Sequence, residues 1–175
     1  MLLELSKILN LSVGALDERR AVGEVDKVAI ALEDARVIGF LVKLKGILSS
    51  RKAVSFQDVV DIDHKGLVIN SAESLLPVGE IVRIKEIFAS HFNLVGLPAR
   101  TKNKKSLGRV TDAVVETTSG DIIRIYVKSL WDERIFERSM IHEIKKNEII
   151  LTFDDRQKAK QKQSILAGEK VSEAA

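Results

Sequence analysis

The sequence predicts a mainly β protein made of two tandem small β-barrels joined by a short helical linker. Apolar residues make up 45% of the 175-residue chain and aromatic residues only 5%, so the core must consist of Val, Ile and Leu. The β-branched residues among these favour strands. The chain also contains one series of short apolar segments twice, in the same order. These observations together predict the fold class.

The internal repeat is visible in three blocks. Residues 22–28 (VGEVDKV) match 107–113 (LGRVTDA), residues 37–43 match 122–128, and residues 54–70 match 136–152. In the last block the apolar positions coincide: Val59 with Ile141, Ile62 with Ile144, Leu67 with Ile149, and Ile69 with Leu151. Because all three blocks agree in order and spacing, we interpret the chain as a duplication.

Each copy has the pattern of short strands separated by polar turns. In the first copy the predicted strands are Gly23–Leu32, Val37–Leu44, a segment near Ala53–Phe56, Val59–Asp63 and Leu67–Asn70. The first turn, Glu33–Arg36, requires a left-handed residue, which Asp34 or Ala35 must supply. The second copy has Gly120 in the matching turn, and glycine adopts this conformation readily. So many short strands, with too few residues for two stacked sheets, predict that each copy closes into a barrel.

Two segments are predicted to be helical. Ser6 is placed to cap a short N-terminal turn. Between the copies, Gly79–Phe92 carries Ile81, Ile84, Phe88 and Phe92 on one stripe, and this helix is expected to pack against both barrels. The predicted organisation is copy 1 at 1–75, a partly helical linker at 76–93, copy 2 at 94–155, and a charged tail at 156–175 that is frayed helix or disordered.

The second copy resembles a known family. The run Leu107-Gly108-Arg109-Val110-Thr111-Asp112, the turn at Gly120, the strand ending at Lys128 and the segment Arg134–Ile144 are similar to the PRC-barrel. The resemblance covers the chain up to Asp155 as two copies and implies a scaffold or docking module. The first copy departs from the pattern, with Lys27 in place of Asp112 and Ala35 in place of Gly120.

The sequence predicts no enzyme, no cofactor and no metal site. The chain has no cysteine, and His64, His91 and His142 lack the spacing of metal ligands. Asp58, Asp61 and Asp63 alternate along one strand region, where a solvated strand face explains them more simply than a cation site. Neither a nucleophile elbow nor a glycine-rich phosphate loop is present.

The leading functional hypothesis is a non-catalytic adaptor that docks a protein partner. Its candidate partner-binding residues are apolar side chains in matched loops, Ile47 and Leu48 in the first copy and Leu130 and Trp131 in the second. Exposed apolar loop residues often mark interaction sites. A lid over the barrel end is the structural alternative for Trp131. Whether the chain forms a homo-oligomer is left open.

Two alternatives use the basic residues. The loop entering the second copy holds five cations that could contact phosphates, namely Arg100, Lys102, Lys104, Lys105 and Arg109. With Arg156, Lys158, Lys160 and Lys162 of the tail, they would suit a factor associated with RNA or the ribosome. The tail alone would suit peripheral attachment to an anionic membrane. No stretch is long and apolar enough for an integral membrane segment, and the N-terminus lacks a signal-peptide pattern, which predicts a cytoplasmic protein.

Overall fold

The fold consists of two β-sheets with a helix between them in the chain. The computed structural model describes residues 1–46 and 50–153. The N-terminal arm is β1 (Leu2–Glu4) and α1 (Leu5–Ile8). The first sheet contains β2 (Ser12–Ala15), β3 (Arg20–Ala31), β4 (Arg36–Leu44), β5 (Arg51–Ser55), β6 (Val59–Ile62) and β7 (Leu67–Ile69). After α2 (Val82–Ala89), the second sheet contains β8 (Pro98–Thr101), β9 (Ser106–Glu116), β10 (Ile122–Lys128), β11 (Glu133–Glu137), β12 (Ile141–Ile144) and β13 (Ile149–Leu151). The predicted mainly β class is confirmed.

The two sheets have the same strand order. The first runs β5-β4-β3-β2-β7-β6 and the second β11-β10-β9-β8-β13-β12, with β1 pairing β9 outside that path. Each sheet contains one parallel pair, β2 with β7 and β8 with β13. Leu67 pairs with Val13, and Ile149 pairs with Ala99. The residues matched in the sequence repeat therefore hold equivalent register positions.

The closed strand ladder that the sequence predicts is not confirmed in either copy. In the described residues, the path of each sheet has two free ends, β5 and β6 in the first sheet and β11 and β12 in the second. One 3-10 turn joins each pair of ends, Phe56–Asp58 in the first sheet and Arg138–Met140 in the second. A 3-10 turn bonds within itself and does not continue a strand ladder. Because three residues span only a short distance, the ends lie close together and each sheet is strongly curved.

The interior is shared between the two sheets. Buried aliphatic side chains from both form one continuous cluster, which includes the fully buried rings of Phe40 and Phe136. A second, smaller cluster joins Ile84 of α2 to Ala29 and Ala53 of the first sheet. The predicted helix is thus present, shorter than Gly79–Phe92, and its buried residue packs on the first sheet.

The two copies meet through their matched hairpin turns. The N–H of Val37 donates to the carbonyl of Gly120 at 2.8 Å, and the N–H of Ile122 donates to the carbonyl of Ala35 at 3.1 Å. Between these bonds, Arg36 Nε lies 2.9 Å from an Asp121 carboxylate oxygen, across a separation of 85 residues. Val37 is equivalent to Ile122 in the repeat, and Ala35 to Gly120, so the two backbone bonds are equivalent to each other. The contact therefore has local two-fold symmetry, as an isologous interface does.

The N-terminal arm belongs structurally to the second sheet, although the sequence assigns residues 1–75 to the first copy. Strand β1 pairs antiparallel with β9, with Leu3 opposite Val115. The predicted capping role of Ser6 is wrong, because Glu4 occupies the N-cap position. Ser6 instead donates its hydroxyl (2.5 Å) and its N–H (3.1 Å) to the Asp112 carboxylate. The chain start is thereby bonded to the second copy.

Candidate functional site

The turn between β10 and β11 presents two large apolar side chains to solvent. The Ser129 N–H and hydroxyl both donate to the Asp132 carbonyl, at 2.8 and 3.1 Å, which closes a tight four-residue turn. Leu130 and Trp131 lie between these two residues, with 92% and 94% of their surface exposed. This geometry argues against Trp131 acting as a lid over the barrel end. We call Leu130 and Trp131 the apolar tip.

A groove of about 830 Å³ begins beside the apolar tip. It is lined by residues from β8, β9, β10 and the turn, namely Pro98, Arg100, Ser106, Gly108, Arg109, Lys128, Ser129, Leu130 and Trp131. Three of these side chains are cationic and none is a carboxylate. We call this the basic groove. It joins two candidate sites that the sequence predicts separately.

The cations of the basic groove are only partly neutralised. The Arg109 guanidinium donates to the Gly96 carbonyl at 2.7 Å, which fixes the side chain without cancelling its charge. Arg100 Nε lies 3.7 Å from a Glu148 carboxylate oxygen, a loose pair. Lys128 has no ion-pair partner in the described part of the chain. The groove therefore keeps a net positive potential toward solvent.

Gly108 sets the position of the turn. Its φ is +127°, and a Cβ there would lie 2.6 Å from the Lys128 carbonyl carbon and 2.9 Å from the Ser129 nitrogen. Only glycine lets β9 approach the start of the turn this closely. Gly23, at the matching position of the first copy, is also crowded, since a Cβ there would lie 2.6 Å from the Lys43 carbonyl oxygen. The repeated glycine of the sequence motif thus has a packing reason in both copies.

The structure brings some of the predicted site residues together and leaves others apart. Arg100 and Arg109 meet Leu130 and Trp131 in the basic groove. Lys102, Lys104 and Lys105 lie in the exposed turn after β8 and do not line it. The remaining predicted partner-binding residues, Ile47 and Leu48, and the basic tail lie outside the described residues.

Lys128 and Ser106 were missed by sequence reasoning. The sequence analysis placed Lys128 only at the end of a strand, and the structure places it opposite Glu133 of β11. The signal that could have found it is its place directly before the turn that carries the apolar tip. Ser106 begins β9, and only the pairing of β8 with β9 places it in the groove.

Of the three aspartates considered for cation binding, Asp63 stabilises a turn. The Asp63 carboxylate accepts the N–H groups of Lys65 and Gly66, at 2.7 and 3.0 Å, and the Lys65 bond is the main reason that the pKa of Asp63 is lowered. In residues 1–46 and 50–153 no three His, Cys, Asp or Glu side chains are clustered as metal ligands would be.

The two helices of the described part are too short or too polar to span a bilayer. No protein-family model matches the chain, and no curated protein matches it significantly. The PRC-barrel resemblance therefore rests on the sequence pattern, and the basic groove with its apolar tip is the candidate functional site.

Proposed function

We propose that this chain is a non-catalytic adaptor of the PRC-barrel type that docks a protein partner through the apolar tip. The single observation that supports this most strongly is the nearly complete exposure of Leu130 and Trp131 on a hydrogen-bonded turn. A soluble protein gains nothing in folding stability from holding two such side chains in water. Tryptophan is also the residue type most enriched among interface residues that dominate binding energy.

The fold supports a scaffold role for the same turn. Antiparallel pairing of β10 with β11 runs from Arg124 opposite Glu137 to Lys128 opposite Glu133, so the turn sits on a rigid hairpin. Binding elements on rigid hairpins lose little conformational entropy on association. The curved sheets, closed at one corner by a 3-10 turn, are compatible with the barrel that the PRC resemblance implies.

Contact with single-stranded RNA is the second candidate, because Arg100 and Arg109 lie beside an exposed tryptophan. Cationic grooves with aromatic platforms are typical of such sites. A phosphate-binding role predicts affinity that falls steeply with salt and depends on the exposed turn Lys102–Lys105.

The test is affinity capture with the full-length protein from a lysate of its native host. We expect a discrete protein that is retained by the wild type and lost when Leu130 and Trp131 are both changed to serine. The matched control changes Leu16 and Val82 to serine, since both are exposed apolar residues outside the groove. Identical capture by the tip variant and the wild type would contradict the proposal, and nuclease-sensitive capture would favour RNA.

A further inference from the structure

We propose that the segment docked in the basic groove is an acidic peptide that carries one large apolar anchor residue. This inference rests on the proposed adaptor function and names the chemistry of its partner. The anchor packs against the apolar tip, while carboxylates of the peptide face Arg100, Arg109 and Lys128.

The charge of the groove selects an anionic partner. All three ionisable side chains in its lining are cations. Asp132, the acid within the turn, is paired with the Arg134 guanidinium at 2.8 Å. Glu133 lies opposite Lys128 in β11 but does not line the groove. Complementary charge steers association and rejects basic segments.

The apolar tip selects a partner with an apolar side chain. A free phosphate or a purely acidic peptide would satisfy the cations and leave Leu130 and Trp131 in water. Burying both side chains requires an apolar residue on the partner, and this burial supplies most of the binding energy. The combination of three cations with two adjacent exposed apolar side chains is therefore specific to a mixed acidic and apolar segment.

The charged tail of the chain itself is disfavoured as the occupant. Its first part carries four cations, Arg156, Lys158, Lys160 and Lys162. Like charges directly opposite one another weaken association. RNA is disfavoured for a different reason, because successive bases need successive aromatic platforms and the groove lining contains Trp131 alone.

The test uses Trp131 as its own probe, since it is the only tryptophan of the chain. The full-length protein is titrated with a synthetic peptide of aspartates and glutamates around one phenylalanine. Three comparison ligands are the same peptide with serine for phenylalanine, a lysine-substituted peptide, and a single-stranded uridine oligonucleotide. We expect a saturable blue shift of Trp131 emission with the first peptide only, because its phenylalanine removes water from the indole.

Two variants test the electrostatic part. Lys128→Glu should weaken binding of the acidic peptide roughly tenfold or more, because it replaces an attraction with a repulsion. Lys27→Glu makes the same charge change on the first sheet and should leave binding unchanged. Equal affinity of the two variants would overturn the proposal, as would tighter binding of the oligonucleotide.

Quenching of the free protein tests the tail as occupant. Exposed Trp131 among cations should be quenched efficiently by iodide and less by caesium, whereas poor quenching by both would show that the chain covers its own groove and would overturn the proposal. If the tip variant loses its captured partner but the acidic peptide fails to bind, the partner chemistry is wrong and the adaptor function stands. If the tip variant keeps its captured partner and the acidic peptide does not bind, both proposals fail.

Discussion

Arg36 and Asp121 are equivalent residues of the repeat that have become opposite charges across the local two-fold axis. The Arg36 guanidinium lies 2.9 Å from one Asp121 carboxylate oxygen and 3.4 Å from the other. The hydrogen bond from Arg36 is the main reason that the pKa of Asp121 is lowered, and the Ser119 hydroxyl contributes in the same direction. The pair therefore links the two copies and responds to pH.

We predict that Asp121→Asn lowers the free energy of unfolding by about 0.2 to 1 kcal/mol at neutral pH, the range for an exposed ion pair. Because the folded state lowers the pKa, the stabilisation is present above the unfolded-state pKa and disappears as pH falls through the folded-state pKa. Urea denaturation of wild type and variant at several pH values measures this. Asp58→Asn, which removes an exposed carboxylate elsewhere, is the control. A difference that persists in strong acid would contradict the assignment.

The conformation or contact of a single residue could be predicted from the sequence where it depends on neighbouring residues. The requirement for a left-handed residue in the turn after β3 was recognised, and Ala35 fills it with φ +47°. The prediction failed for Ser6, whose true partner Asp112 is 106 residues away. Asp112, the acidic residue of the pattern that resembles the PRC-barrel, binds the N-terminal arm through Ser6. Residues near Ser6 in the sequence give no sign of this contact.

The turn Ser129–Asp132 depends on the strand that passes beneath it. We predict that Gly108→Ala lowers the free energy of unfolding by about 1 to 3 kcal/mol, because the backbone there is left-handed and crowded. It should also move the turn and weaken partner binding. Chemical denaturation and Trp131 emission report the two effects separately.

Gly79→Ala is the matched control, since a Cβ at Gly79 meets no atom within 4 Å. It should change stability by no more than about 0.5 kcal/mol. Equal stability of the two variants would show that the approach of β9 to the turn is not a constraint.

The longer strands and the short strands β5, β6 and β7 were predictable, whereas β1, β2 and β8 were not. Alternating apolar residues identified β3, β4, β9 and β10, and the stripe of isoleucines and phenylalanines identified α2. Strand β2 was missed because Ser12-Val13-Gly14-Ala15 is too short to show alternation, and its parallel pairing with β7 joins distant segments. The candidate site was predictable only in part. Leu130 and Trp131 could be recognised from the sequence as apolar loop residues, whereas the groove forms only when β8 pairs with β9.

At the scale of the whole molecule, the two copies share one core and contact each other through the hairpin turns and the N-terminal arm. The Arg138 guanidinium reaches across to the Ala35 carbonyl at 3.0 Å and to the Asp34 carbonyl. The arm of β1 and α1 covers the opposite copy, with Ile8 fully buried. Neither copy keeps a complete core alone.

We predict a single unfolding transition in calorimetry, with equal calorimetric and van't Hoff enthalpies. Residues 1–75 expressed alone should not form a stable folded monomer, because they lose half of the shared cluster and the partner of β1. Circular dichroism and sedimentation measure this. A folded monomeric fragment, or two separate transitions in the full chain, would show that the copies are independent domains.

The most direct test of the account is the dissociation constant of the purified full-length protein with its captured partner, measured by calorimetry. Truncation of a dominant interface tryptophan removes about 2 kcal/mol or more, so Trp131→Ser should weaken binding roughly 30-fold. Leu16→Ser should bind like the wild type. Unchanged affinity of Trp131→Ser would contradict the claim that the apolar tip is the docking site.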